Sequence, residues 1–534
     1  MRILVAEPLA TEGVEILRRE HDVDERPGLT PEEYRAMLPD YDALVVRSQV
    51  KVDAAMIAAG SRLVVIGRAG VGVDNVDLDA ATRAGITVVN APTGNTIAAT
   101  EHTLALLLAV ARKVAPADAS VRRGEWRRSA FTGVELRGKT IGIIGLGKIG
   151  RAVAERARAF EMLVIGVDPF VTTEQAALHG IELVELDALL ARADVVTLHV
   201  PATKATRGMI GAEQLARMKP TAFLVNVARG GVVDEAAVAE ALKAGSLAGA
   251  AFDVYASEPP PADSPLLDAP RTVLTPHLGA STAEAQVAVA EEAALQVLDV
   301  LDGRPARYAV NAPLLTPETA RAVGPYVPLA ETLGRFFRQY AGEAIRTLTV
   351  EIAGDLAAYD TAQLQGAAIC GFLAGTTTER VNLVNAPLLA KTRGLAVVER
   401  RTEIAGTFSS LITLWAEVAG GRTRAVAGTL TNGEPRIVRL DEYWLDVAPA
   451  PWMVVAPHTD QPGMIGRVGM LLGAADINIS TMHLGRSAPR SDAVMVLALD
   501  DAVPPAVAAA IRAIDSITDL RVVELGQVEM APEA

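Results

Sequence analysis

A single cysteine, Cys370, in 534 residues excludes an intrachain disulfide and a cysteine-rich zinc site, and no metal is expected. Low-complexity tracts and tandem repeats are missing. So is an apolar run of the roughly 20 residues that a membrane span needs. The most apolar helical stretch, around Leu104–Ala111, is enclosed by Glu101 and His102 on one side and Arg112 and Lys113 on the other. The start of the chain has no basic segment leading to an apolar stretch and a small-residue cleavage site. Positive charge is also scarce. The net charge is -14 and the sequence pI is about 5.2. That balance argues against general nucleic-acid binding while leaving room for a local basic patch facing a phosphorylated ligand. The expectation is a soluble cytoplasmic protein, partnered by neither membrane nor nucleic acid, and too long for one core.

From Arg2 to Asn90, short Val- and Ile-rich runs (Ala43–Val46, Leu63–Ile66, Ile86–Val89) alternate with segments bearing helix-start signals, such as Pro31–Leu38 and Asp77–Ala84. That alternation predicts a parallel sheet covered by helices on both faces. A helix apolar all round follows over Thr96–Val114, a second alternating unit spans Thr140 to His277, and another long helix covers Ser281–Leu301. Val310-Asn311-Ala312-Pro313 marks the end of this half. Beyond it, Thr347–Ile352 and Arg424–Thr431 lean toward strand. The last section reads strand Met453–Ala456, helix Gly463–Ala475, strands Ile477–Leu484 and Ala493–Leu499, helix Ala506–Ile514 and strand Leu520–Leu525. That is a small ferredoxin-like βαββαβ module.

The buried-strand run Ile141–Ile144 leads directly into Gly145-Leu146-Gly147-Lys148-Ile149-Gly150 and then into the helical Arg151–Phe160. A lone GxGxxG is weak, but strand, glycine turn and helix in this order form a dinucleotide fingerprint. Gly145 permits the tight turn, Gly147 leaves room for a pyrophosphate, and Gly150 lets helix and strand approach. The next strand ends at Asp168, where an acid can accept from ribose hydroxyls and repel a 2′-phosphate, favouring NAD. The alternative is a plain glycine turn with Asp168 capping a loop.

Of seven histidines, His21, His102 and His179 fall far from any second feature, which suits solvated or core roles. His458 and His483 belong to the terminal module, and His199 ends a strand before Pro201 where it can line a cofactor cleft. His277 follows the strand Thr272–Leu274. Arg229 follows Leu224–Val227, and Glu258 follows Ala250–Val254. Ligands of open α/β sheets bind beyond the carboxyl ends of the strands, so these three side chains are expected over one crevice. Taken singly, each has a plainer reading: a surface ion pair, a loop carboxylate and a turn histidine.

The glycine turn, Asn226-Val-Ala-Arg-Gly-Gly-Val-Val-Asp-Glu235, Asp253-Val-Tyr-Ala-Ser-Glu-Pro-Pro260 and Pro276-His-Leu-Gly-Ala-Ser-Thr282 together resemble the D-isomer-specific 2-hydroxyacid dehydrogenases over about the first 310 residues. The resemblance implies a Rossmann-type cofactor domain (94–277) inserted in a flavodoxin-like substrate domain (1–93 and 278–313). It also implies that His277 is the base for the hydroxyl proton, that Glu258 holds its other nitrogen, and that Arg229 clamps the substrate carboxylate. Contacts to NAD are then expected from Gly145, Gly147, Lys148, Ile149, Gly150, Asp168, His199, Pro201, Val227, Ala228, Arg229, Asp253, His277 and Gly279.

Val46-Arg47-Ser48, Gly67–Asp77 and Pro92–Thr96 resemble the branch of that family acting on 3-phosphoglycerate. Its other members reduce glyoxylate or hydroxypyruvate, or oxidise other D-2-hydroxy acids. The resemblance implies that Gly70 and Val71 take the carboxylate and that Arg47 and Asn95 meet a phosphate. The apolar helix packs against a second subunit in this family, implying a homodimer or homotetramer. An arginine of Arg122-Arg123-Gly124-Glu125-Trp126-Arg127-Arg128 then either reaches the neighbouring site or lies on a solvated face. Residues 314–449 resemble an α+β intervening domain whose anion site has loose candidates in Lys391, Arg393, Arg400 and Arg401. Residues 450–534 resemble the ACT domain of amino-acid-regulated enzymes. Asp460 and Asn478 are its matched effector positions, and L-serine is the implied effector.

Overall fold

The structure, a computed structural model, describes residues 1–313, 316–342, 345–377 and 379–526. The first sheet contains β1 (Arg2–Val5), β2 (Asp22–Glu25), β3 (Ala43–Val46), β4 (Val65–Arg68) and β5 (Thr87–Asn90), all parallel in the order β2-β1-β3-β4-β5. This is the flavodoxin-like order. After the cofactor unit the chain returns through the helix Ala283–Leu301. Its Ala294, Val297 and Leu298 pack against Ile3, Val45 and Val65 of this sheet. The Asn311 side chain then pairs with the backbone of Ile86 and Val88.

The second sheet contains β6 (Thr140–Ile144), β7 (Leu163–Val167), β8 (Glu182–Leu183), β9 (Val195–Leu198), β10 (Phe223–Asn226), β11 (Gly249–Phe252) and β12 (Thr272–Leu274). Its parallel order β12-β11-β10-β9-β6-β7-β8 is that of a doubly wound dinucleotide fold, with the switch point between β6 and β9. The helix expected over Thr96–Val114 ends at Ala111. Lys113 turns left-handed (φ 55°), and a second helix, Val114–Arg122, begins. Pro116 stands in its first turn, where a missing N–H costs nothing.

The third sheet contains β13 (Thr347–Gly354), β14 (Ala396–Thr402), β15 (Ser410–Val418), β16 (Arg422–Thr431), β17 (Glu434–Leu440) and β18 (Tyr443–Val447) in the order β14-β13-β15-β16-β17-β18. Two helices back it, Val327–Ala341 and Ala362–Leu373, crossing at reciprocal glycines. A Cβ at Gly334 would sit 2.1 Å from the Ala368 carbonyl oxygen, and one at Gly371 would sit 1.9 Å from that of Glu331. Glycine lowers helix propensity, but here it permits the close crossing. Asn382 donates to the Gly85 carbonyl (2.6 Å) and Arg380 to that of Leu63 (3.2 Å), docking this unit on the first.

The last sheet contains β19 (Trp452–Thr459), β20 (Ile479–Arg486), β21 (Asp492–Leu499) and β22 (Arg521–Glu524) in the antiparallel order β20-β21-β19-β22. One face packs on its own two helices, and the other, through Met453, Val455, Val494 and Val496, joins the core of the preceding unit. Arg424 bonds Asp441 (2.8 Å), Tyr340 (2.8 Å) and, in the last module, Asp519 (3.0 Å). Burial and the neighbouring Asp441 carboxylate push the Tyr340 phenol far up, so it stays a hydroxyl donor to Asp441 at 2.6 Å. No helix among the described residues is long and apolar enough to cross a membrane.

Candidate active site

Parallel strands of two facing sheets end toward a common cleft, and every reactive side chain singled out in the first two units sits at or just beyond such an end. At the switch point, Gly145 turns with φ 95° directly beside the carbonyl of His199. A Cβ at Gly150 would lie 2.0 Å from the Gly145 carbonyl oxygen, so the helix Lys148–Ala159 can start this close only with glycine there. No atom lies within 4 Å of a Cβ built at Gly147, which caps the helix without a side-chain bond. The first-turn N–H groups are thus open to a phosphate. Asp168 directly follows β7, accepting from Leu146 N (2.8 Å) and Phe170 N (2.9 Å). His199 contacts Thr197 Oγ1 at 3.1 Å, and desolvation by burial pushes its imidazole down to about 3, so it is neutral. Lys148 lies 5.0 Å from the ring centre of Tyr308, and Pro201 is exposed near the mouth. A small-residue turn, a bare helix start and an acid after the second strand fit a dinucleotide.

Beyond β11 and β12 the loops interlock. Glu258 Oε2 lies 2.6 Å from His277 Nδ1, both side chains partly exposed, while Glu258 Oε1 accepts from Tyr255 N (3.1 Å). Burial alone would raise the Glu258 carboxyl, but its bond to the imidazole and the attraction between them outweigh it and hold the group low. Gly230 lies hard against the Tyr255 carbonyl, so the loop carrying Arg229 abuts the one carrying Glu258. Val227 and Ala228 are buried beneath, and Gly279 packs on Val227 and Asp253.

Arg229 reaches across the cleft to the first unit. Its Nε donates to Asp74 (3.0 Å), its Nη1 to the Ala228 carbonyl (2.7 Å), and its Nη2 fills the space a side chain at Gly72 would need. Val71 is held through its carbonyl by Asn90 (2.5 Å), and Gly70 takes φ 151° over the Arg68 guanidinium. Asn95 stands at the N-terminal cap position of the helix Thr96–Ala111 but makes no capping bond, and its buried amide oxygen has no hydrogen-bond partner among the described residues.

Two residues escaped the sequence reading. Glu7, almost fully buried after β1, accepts from the backbone N–H groups of Arg47 (2.8 Å), Gln49 and Val50 and thereby fixes the loop bearing Arg47. Arg68 ends β4. Desolvation first, then repulsion by Arg229, push its guanidinium down to about 10. A charged residue closing a buried parallel strand was the available signal in both cases. A third residue requires a correction. His102, read as remote from any partner, contacts Asp253 Oδ1 (3.0 Å) and Thr275 Oγ1 (3.1 Å).

In the last module, Asp460 follows β19 and accepts from Arg486 Nη1 (3.2 Å) and Arg490 N (3.1 Å). Asn478 precedes β20 and donates to Asp500 (2.6 Å). The register pairs Thr459 with Asp492 and Ile479 with Leu499, placing the two residues at opposite ends of eight-residue strands, about 20 Å apart.

Comparison with known proteins agrees with this layout. Residues 104–279 match the family model of the D-isomer specific 2-hydroxyacid dehydrogenase NAD binding domain, which defines the chain as an NAD-dependent oxidoreductase of that class. Residues 322–441 match the D-3-phosphoglycerate dehydrogenase intervening domain, and 458–516 match the ACT domain. A D-3-phosphoglycerate dehydrogenase of Synechocystis sp. is 46% identical over 98% of this chain and 95% of its own. One of Archaeoglobus fulgidus is 44% identical over 98% and 100%. A solved glyoxylate reductase from Paecilomyes thermophila, 31% identical, superposes with a TM-score of 0.54 over 58% of this chain and 98% of its own. The chain belongs to the D-3-phosphoglycerate dehydrogenase family.

Proposed function

We propose that this chain oxidises 3-phospho-D-glycerate to 3-phosphooxypyruvate with NAD, the first step of L-serine biosynthesis, in the cytoplasm. The observation that carries the reading is the 2.6 Å contact of His277 with Glu258 at strand ends, opposite a cleft edge that gathers Arg47, Arg68 and Arg229. Bound NAD supplies a hydride acceptor. Gly145, Gly147, Lys148, Ile149 and Gly150 would hold its phosphates and Asp168 its ribose, with His199, Pro201, Val227, Ala228 and Gly279 lining the groove and Asp253 buried beneath it. His277 takes the hydroxyl proton on its free Nε2, and Glu258 stabilises the imidazolium that forms. Arg229 grips the carboxylate with Gly70 and Val71, while Arg47 and Asn95 meet the phosphate. The domain limits proposed are 1–93 with 278–313, 94–277, 314–449 and 450–534.

The chain is proposed to act as a homodimer or homotetramer joined through the helices after Asn95, where Val114 is 53% and Val121 56% exposed. L-serine acting at Asp460 and Asn478 is the proposed feedback signal. A spectrophotometric NADH assay tests the whole reading. Because each charge-assisted contact to the phosphate is worth about 1.5–3 kcal/mol, kcat/KM for 3-phosphoglycerate should exceed that for D-glycerate by about 100-fold or more. Equal values would shift the assignment to a reductase of glyoxylate or hydroxypyruvate. Added L-serine should lower the rate.

Asp168→Asn keeps an acceptor for Leu146 N but removes the charge facing the ribose. KM for NAD should rise about tenfold and NADP should become a measurable substrate. Unchanged discrimination in steady-state kinetics would reject Asp168 as the selector.

A further inference from the structure

Asp253 is fully buried at the end of β11 and accepts four hydrogen bonds. They come from Thr275 Oγ1 (2.6 Å), Leu278 N (2.7 Å), Gly279 N (2.8 Å) and His102 Nε2 (3.0 Å). Three of these, from Thr275, His102 and Leu278, converge on Oδ1, while the Gly279 N–H alone meets Oδ2. Leu278 and Gly279 are the two residues after His277, which adopts φ 56°. A non-glycine residue stays in that left-handed region only when its surroundings hold it there. The Asp253 bonds to the next two peptide N–H groups are what hold it. Burial would raise the Asp253 carboxyl, but the bonds from His102, Thr275 and Leu278 keep it below its ordinary range.

We propose that His102 is a positioning residue for the reaction. By donating Nε2–H to Asp253 it completes the bond set that fixes the turn at His277, and so aims the imidazole. A carboxylate only accepts, so the hydrogen sits on Nε2 of His102. His102 lies on the helix Thr96–Ala111, which starts directly after the first sheet's last loop and packs through Leu104, Leu107 and Val110 on the second sheet. The contact therefore ties the helix joining the two units to the turn bearing the proton acceptor. It spans 151 positions of sequence.

The inference rests on His277 being the base, so the test separates the two. His102→Leu keeps much of the volume and removes the donor, whereas His102→Gln keeps an N–H that can reach Asp253. With 3-phosphoglycerate and NAD, His102→Leu should lower kcat by roughly 10- to 100-fold, since a misaimed reacting group costs rate rather than affinity. KM and NADH binding should stay within about threefold of the parent. His102→Gln should recover most of the lost kcat, which a purely packing role would not produce. If His102→Leu does not fold, Thr275→Val removes another donor to the same oxygen and should show the same loss of kcat. Parental kcat in the Leu variant, or a Leu variant faster than the Gln variant, overturns the proposal. Measured beside them, an inactive His277→Asn with a fully active His102→Leu sinks the positioning role alone. A fully active His277→Asn removes the base assignment and this inference with it.

Discussion

Replacing His277 by asparagine is expected to lower kcat for 3-phosphoglycerate oxidation by roughly 10³-fold, within the range by which a positioned acid–base group accelerates a reaction. Asparagine is close in size and can still bond to Glu258, so the loop should persist. What disappears is the ring nitrogen that accepts the hydroxyl proton. NADH binding, followed by fluorescence, should change little. Glu258→Gln should be milder, because the imidazole can still act but loses the negative charge stabilising its cationic form. Turnover of His277→Asn within tenfold of the parent would reject the assignment. So would a loss that falls entirely on NADH binding.

Arg229→Leu should cut kcat/KM by about 10²- to 10³-fold, the usual effect of truncating one partner of a hydrogen-bonded charge pair. In the described state this guanidinium is already committed through Nε to Asp74 and through Nη1 to the Ala228 carbonyl, with Nη2 against Gly72. It is thus held in place before a carboxylate arrives, and Asp74 is the anion with which that carboxylate must share it. Arg229→Lys restores charge but not the planar fork, so it should recover only a small part of the loss. A lysine variant matching the parent would show that charge alone suffices at this position.

The fold was legible where local pattern and tertiary need coincide. Runs such as Ala43–Val46 and Ile141–Ile144 are apolar because both faces of a parallel sheet are covered, and they fall on β3 and β6. The expected strand Leu63–Ile66 is displaced to Val65–Arg68 because the strand carries its arginine into the cleft, which hydrophobicity does not register. The helix break at Lys113 was missed although the charged pair Arg112-Lys113 ends the apolar run and Pro116 announced a second start. The helices Val327–Ala341 and Ala362–Leu373 went unread since Gly334, Gly366 and Gly371 dilute the helical signal. Two of those glycines exist only because another helix passes there. At the site, Arg229, Glu258 and His277 were placed by their positions after strands, whereas Arg47, Gly70, Val71 and Asn95 came from the family resemblance. His102 was not found, because its partner lies on another strand end and no local spacing links them.

The separation of Asp460 from Asn478 along one module carries a thermodynamic consequence. A small amino acid spans a few ångströms, so no lone copy can grip it with both side chains; a ligand held by the pair must be shared by two polypeptides. Occupancy and self-association are then linked equilibria. For the L-serine proposed at this pair, dilution should weaken the apparent affinity, and the ligand should in turn drive copies together.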